Sequence, residues 1–162
     1  MRSSLAVRTA TMCAILIVMH YTVRPLLGWR TSIDFLLIAL VFGSVRMRPA
    51  AAAVFGLVLG LATDSLALGA FGAGALAATI VGFASSWLKA VFFADNVALN
   101  AIFLFAGKWL FDLVYVLMSR RMRGIEMLSQ LLLWTPLTAL VTAVAGVLVV
   151  TLLRPVYQGR TA

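Results

Sequence analysis

Apolar residues fill most of the chain in long runs, and short polar segments interrupt these runs at intervals. A helix needs about 20 mostly apolar residues to cross the hydrocarbon core of a bilayer. The pattern predicts helices over residues 6–23, 33–45, 49–68, 72–88, 97–118 and 127–153. The second of these is short for a full crossing. None of the runs alternates between apolar and polar residues, as the strands of a membrane β-barrel do.

Proline, glycine and small polar residues mark the ends of these helices. Thr31 or Ser32 is suited to cap the second helix, and Pro49 is suited to the first turn of the third. The segment LGAFGAG, residues 68–74, predicts a tight turn before the fourth helix. Pro136 predicts a kink in the sixth, because its ring removes a backbone hydrogen bond and clashes with the carbonyl four residues earlier.

The composition places the chain in the class of all-α integral membrane proteins. Of its 162 residues, 64% are hydrophobic and 11% are charged, and the mean hydropathy is +1.09. A soluble domain has about 45–50% apolar and about 25% charged residues. No connection is long enough for a soluble domain. We therefore expect one membrane domain over residues 1–162, a polytopic bundle of about six transmembrane helices.

The net charge of +8 reflects basic residues that lie between the apolar runs. This placement is typical of loops that face lipid headgroups, and no nucleic-acid-binding motif accompanies it. With six helices, one membrane side carries seven basic residues and the other five. That weak positive-inside bias predicts cytoplasmic termini. The cluster at Arg120–Arg123 lies on the less basic side. If one candidate helix did not cross, this cluster would move to the cytoplasmic side, so the number of helices, five or six, and the side of this cluster stay open.

The residue types needed for catalysis are sparse. The chain has one histidine, His20, five acidic residues and one cysteine. Neither a zinc-protease motif nor a phosphate-binding glycine loop is present. We therefore expect no enzymatic activity, no metal and no cofactor, and we expect His20 to be a packed or interfacial residue.

Gly56, Gly60 and Asp64 are spaced four residues apart and share one helical face. A small-xxx-small pair lets another helix approach closely, and a carboxylate among apolar residues is costly in lipid. Two interpretations are open. Asp64 caps the following turn and the glycines pack within the chain, or the face docks a partner or frames a cavity.

A second polar line follows the fifth predicted helix through Asn96, Asn100, Lys108 and Asp112. Lys108 and Asp112 are four residues apart and predict an ion pair, which lowers the cost of burying both charges. The pair and the amides either stabilise the bundle interior or line a functional polar cavity. Asp34 follows the candidate caps of the second helix, and in a first helical turn the helix dipole favours its negative charge.

Two consecutive stretches resemble the rod shape-determining MreD family. They read IDFLLIALVFGSVRMRP, residues 33–49, and AAAAVFGLVLGLATDSLALGAFGAGALAATIVGF, residues 50–83. The family pattern has an acidic residue opening an apolar helix, a basic turn with proline, and a glycine-rich helix that ends in an Asp-Ser step before a glycine turn. The matching positions are Asp34, Arg46, Arg48, Pro49, Gly56, Gly60, Asp64, Ser65, Leu66, Gly69 and Gly72. Ile33 stands where the family often has proline.

The resemblance implies a non-enzymatic scaffold in the bacterial inner membrane that serves cell elongation and peptidoglycan synthesis. Its implied partner is MreC, and through MreC a class B penicillin-binding transpeptidase, RodA and MreB. The resemblance also implies a fold similar to the S components of energy-coupling-factor vitamin transporters. An S component is accordingly the alternative function, with Asn96, Asn100, Lys108 and Asp112 as candidate cavity residues. Whether two copies form a homodimer is left open.

Overall fold

The computed structural model describes residues 2–23, 33–66, 71–89, 97–119 and 124–158. Within these ranges the chain is helical and contains no strand. The first helices are α1 Arg2–Val23, α2 Phe35–Ser44, α3 Pro49–Leu66, α4 Ala73–Trp87 and α5 Val97–Ser119. The last part comprises α6 Ile125–Ser129, a π-helical segment Gln130–Trp134 and α7 Thr135–Gln158. These last three pieces follow one another without a break, so the described residues form six helical segments.

Three helical segments are long and apolar enough to cross a membrane, namely Pro49–Leu66, Val97–Ser119 and Met127–Val149. The other apolar segments, Ala10–Thr22, Phe35–Ser44 and Ala73–Trp87, are shorter. The all-α membrane class is thus confirmed. That α1, α2 and α4 also cross stays a prediction, as does the membrane side of each helix end.

Helix α2 lies at the centre of the bundle. All of its ten residues are buried, and it contacts α1, α3, α4, α5 and α7. The reason is visible in its sequence, FLLIALVFGS, which offers no charged side chain on any face. At 1.5 Å per residue this helix is about 15 Å long, roughly half the thickness of the hydrocarbon core. Its first residue therefore lies within the bundle.

The start of α2 differs from the sequence prediction. The helix begins at Phe35, and Asp34 itself is the N-cap, since its Oδ1 accepts a hydrogen bond from the backbone N–H of Leu37 at 3.1 Å. Thr31 and Ser32, the expected caps, lie outside the described residues. The prediction that one of them caps α2 is wrong, because a carboxylate three residues before Leu37 already satisfies that N–H.

The irregularity expected at Pro136 is a widened helical turn that precedes the proline. The backbone N–H of Thr135 donates to the carbonyl of Gln130, five residues earlier. Such π-helical turns relieve a local mismatch between the backbone and its hydrogen-bond ladder. The regular α-helical pattern resumes at Thr135, and Pro136, which contributes no N–H of its own, is the second residue of α7.

Candidate functional site

A buried ionic cluster joins α2 and α5. Lys108 of α5 donates from Nζ to Asp34 Oδ2 at 2.9 Å and to Asp112 Oδ1 at 2.7 Å. The ion pair that the spacing of Lys108 and Asp112 predicts is therefore present. The second pairing, across 74 positions of the chain, was not predicted. The side chains of Lys108, Asp34 and Asp112 are 9%, 13% and 18% exposed.

Asp34 collects contacts from several helices. Its Oδ1 accepts from the Leu37 N–H and lies 3.4 Å from His20 Nδ1 of α1. Its backbone N–H donates to Thr142 Oγ1 of α7 at 3.2 Å. The residue is therefore a helix cap, an ion-pair partner and a link to α7 at once.

His20 lies at the edge of this cluster and is 3% exposed. Its Nδ1 accepts from the backbone N–H of Leu36 at 3.3 Å, and its ring packs edge-on against Tyr21. The Leu36 N–H belongs to the first turn of α2, where backbone donors have no partner within the helix. The prediction of a packed histidine is confirmed, and its packing ties α1 to α2.

On the side of Asp112, the cluster contacts Thr138 of α7. Thr138 Oγ1 is 3.0 Å from the Thr135 carbonyl and 3.3 Å from Asp112 Oδ2, so its single hydroxyl hydrogen can serve either acceptor. We call the set that joins α1, α2, α5 and α7 the polar cluster. Its members are His20, Asp34, Lys108, Asp112, Thr138 and Thr142.

The polar cluster cross-links four helices, and within it the contacts of Lys108 with Asp34 and Asp112 are charge-assisted. An isolated charge inside a bilayer costs several kcal/mol, and pairing with hydrogen bonding reduces that cost. Lys108 lies between two carboxylates, so the removal of Lys108 would expose both to an apolar environment. Lys108 is thus the ion-pair partner of both acidic residues of the polar cluster.

Asn100 of the predicted polar line does not extend this network among the described residues. Asn100 is buried, and its Oδ1 has no hydrogen-bond partner in the part of the chain that the structure describes. Asn96 lies outside the described residues. The ion pair accounts for Lys108 and Asp112, and the alternative that the polar line forms a functional cavity stays a prediction.

The Gly56–Gly60 face lies against α4, in the most extensive helix contact of the bundle. A Cβ at Gly56 would collide with the Ala78 carbonyl, and one at Gly60 would lie 2.7 Å from the Gly74 oxygen. The neighbouring atoms are backbone, which cannot move aside as a side chain can. On this face the glycines serve close packing within the chain.

Asp64 ends the same face and caps the neighbouring helix. Its Oδ2 accepts from the backbone N–H groups of Gly72 at 2.9 Å and Ala75 at 3.0 Å. Gly72 is the N-cap residue of α4 and has a φ of +95°, which favours glycine. Because Gly72 has no side-chain acceptor, Asp64 supplies one from α3. Gly69, the other glycine of the motif, lies outside the described residues.

Pro49 occupies the first position of α3, as the sequence predicts. Before it, the guanidinium of Arg46 lies over the Phe42 ring, 4.3 Å from its centroid. The Met47 carbonyl accepts a hydrogen bond from Ser86 Oγ of α4 at 2.7 Å. The basic turn of the motif is thus fastened to the C-terminal end of α4.

Sequence reasoning missed Thr138 and Thr142 as members of the polar cluster. The two threonines are four residues apart in a mainly apolar part of the helix, and this spacing was the available signal. It also missed the meeting of His20, Asp34 and Lys108, because nothing in the local sequence specifies which helices become neighbours.

Together these features define a helical membrane protein whose bundle is held by buried ionic and capping contacts. A family model described as rod shape-determining protein MreD matches residues 1–156. The chain therefore belongs to the MreD family, and its role is in the determination of rod shape. No curated protein and no solved structure matches the chain. The expected likeness to transporter S components accordingly stays a prediction.

Proposed function

We propose that the chain is a non-enzymatic scaffold of the bacterial elongation machinery that binds MreC and helps regulate peptidoglycan synthesis. The observation that carries this proposal is the family match over residues 1–156. Through MreC the scaffold would connect indirectly to a class B penicillin-binding transpeptidase, RodA and MreB. Its proposed location is the inner membrane, as a multi-pass protein with cytoplasmic termini.

The roles of the buried charges support a scaffold. Lys108 pairs with Asp34 and Asp112, and Asp64 caps α4. Each of these groups fixes one helix against another. A scaffold needs such fixed helices, because its binding surface for another protein has to be rigid. Intramembrane ionisable residues often mark functional sites. Here their function is to hold the arrangement of the helices.

The contacts of α3 restrict where a partner helix can dock. The Gly56–Gly60 face is covered by α4, so a partner would meet another surface. The opposite side of α3 exposes Val54, Val58 and Leu61. A substitution at Gly60 therefore reports on folding, whereas substitutions at the exposed side chains can report on docking without disturbing the α3–α4 contact.

Co-purification tests the proposal. The tagged chain is expressed with MreC from the same bacterium, extracted in mild detergent and passed over a size-exclusion column. We expect MreC to elute with the wild-type chain and with the Gly107→Ala variant, where a Cβ has only ordinary contacts. An unrelated tagged membrane protein serves as the negative control. A folded wild-type chain that elutes without MreC would contradict the proposed partner.

The same preparation separates the proposal from the transport alternative. A stoichiometric small ligand, or an ATPase with its membrane coupling subunit, would indicate an S component instead. Trp substitutions at the exposed side chains of α3 then ask whether this side contributes to docking. Loss of MreC from a variant that still elutes as a folded protein would place the interface there.

A further inference from the structure

A shallow apolar groove runs between α4 and α5. It has a volume of about 90 Å³, and Val81, Ser85 and Leu88 line it on the α4 side. Phe103, Gly107 and Leu110 line it on the α5 side, and Ala84 of α4 and Ala106 of α5 complete the lining. Small residues at these positions keep the groove open. In a bilayer, hydrocarbon fills an open groove whose lining is mainly apolar, because water finds few polar partners there.

One end of this groove is basic. Leu88 lines the groove, and the next residue, Lys89, is exposed. The hydrogen bond from Ser86 Oγ to the Met47 carbonyl holds the α2–α3 turn beside the same end of α4. That turn carries Arg46 and Arg48, and the Arg48 side chain is exposed. Arg48 and Lys89 are thus exposed basic residues at the same end of α3 and α4 at which the groove ends beside Leu88.

The acidic side chains that the structure describes lie elsewhere. Asp34 and Asp112 belong to the polar cluster, and Asp64 caps α4 at its opposite end. Asp95 follows Lys89 by six positions and lies outside the described residues. The described residues at this end therefore carry a net positive charge, from Arg48 and Lys89.

We propose that the α4–α5 groove binds an anionic phospholipid from the bilayer. Part of one acyl chain lies in the groove, and the phosphate lies at the basic end formed by Arg48 and Lys89. The charge complementarity favours an anionic headgroup, and the apolar lining favours an acyl chain. Basic residues near a membrane surface each strengthen the binding of acidic lipid about fivefold. The site is independent of the proposed binding of MreC.

Native mass spectrometry of the purified chain tests this site. The detergent-solubilised protein is titrated with phosphatidylglycerol and, separately, with phosphatidylethanolamine of the same acyl chains. We expect several-fold tighter binding of the anionic lipid to the wild-type chain. The double variant Arg48→Gln/Lys89→Gln is expected to bind phosphatidylglycerol roughly 10- to 30-fold more weakly, with phosphatidylethanolamine little changed.

Two further variants separate the groove from its basic end. Ala106→Leu fills the groove at an exposed position and is expected to weaken the binding of both lipids. Ala62→Leu, at an exposed position of α3 outside the groove, is expected to leave the binding of both lipids unchanged. Arg123→Gln, between α5 and α6, is the matched charge control. Equal binding of the two lipids by the wild-type chain would overturn the proposal. So would a loss of anionic-lipid preference in Arg123→Gln that matches the loss in the double variant.

Discussion

Replacing Lys108 with Met is the sharpest perturbation of the polar cluster. Met keeps most of the side-chain volume but removes the ammonium group that contacts Asp34 at 2.9 Å and Asp112 at 2.7 Å. Two carboxylates then share a poorly hydrated interior without their common cation. Removal of one member of a buried ion pair costs about 3–5 kcal/mol, because the remaining charge is left without compensation.

That cost predicts a large change in thermal stability. For a chain of this size, 1 kcal/mol shifts the unfolding midpoint by about 2–4 °C, so Lys108→Met is expected to lower it by about 6–20 °C. The assay heats the detergent-solubilised protein and measures the monodisperse fraction that remains. Lys89→Met is the matched control, because Lys89 is exposed and surface substitutions change stability by only about 0.5 kcal/mol.

A double-mutant cycle isolates the pair itself. Asp112→Asn is expected to be destabilising in the wild-type background and much less so in the Lys108→Met background. Contacting charged residues couple by about 0.5–3 kcal/mol. A midpoint for Lys108→Met equal to that of Lys89→Met would refute the reasoning. It would mean that the buried carboxylates do not depend on this cation.

Three smaller perturbations test the other contacts by the same unfolding assay. Gly60→Ala is expected to lower the free energy of unfolding by about 1–3 kcal/mol, because the new Cβ collides with the α4 backbone. At Gly107 the nearest contact of a new Cβ is 3.7 Å, so Gly107→Ala is expected to be neutral or stabilising by up to about 1 kcal/mol. Equal midpoints for the two would contradict the close packing. Asp64→Ala removes the cap of α4, and we expect a loss of about 0.5–2 kcal/mol together with faster amide exchange in the first turn of α4. Thr142→Val removes the acceptor of the Asp34 N–H and is expected to cost about 1 kcal/mol; an unchanged midpoint would show that this hydrogen bond contributes nothing.

The positions of the helices were largely predictable. The third, fourth and fifth predicted ranges, 49–68, 72–88 and 97–118, differ from α3, α4 and α5 by at most two residues at each end. Pro49 and Gly72 explain this accuracy, because each restricts the local backbone in a way that depends little on tertiary packing. The first helix starts four residues earlier than the predicted Ala6, at Arg2.

The candidate site was predictable only where its contacts are local. The Lys108–Asp112 pair follows from helical spacing, and so does the shared face of Gly56, Gly60 and Asp64. The contact of Lys108 with Asp34 does not, because it depends on the packing of α2 against α5. Nor could the periodicity show that α4 covers the Gly56–Gly60 face, since a glycine groove suits a helix of the same chain or of another.

The lengths of the helices show the same division between local and tertiary causes. The apolar run over residues 33–45 is too short to predict a full crossing. The complete burial of α2 at the centre of the bundle follows from contacts with five other helices. That central position brings the N-cap Asp34 into the interior, where Lys108 of α5 and Thr142 of α7 are its partners.

The central claim is that this bundle supports rod shape as a scaffold whose integrity depends on the polar cluster. The most direct measurement is the length-to-width ratio of the native cells after depletion of the chain and re-expression of variants at matched membrane levels. We predict rounded cells on depletion, recovery of rods with wild type and Gly107→Ala, and failure of Lys108→Met to restore them. Depleted cells that keep their rod outline and normal wall growth would contradict the account.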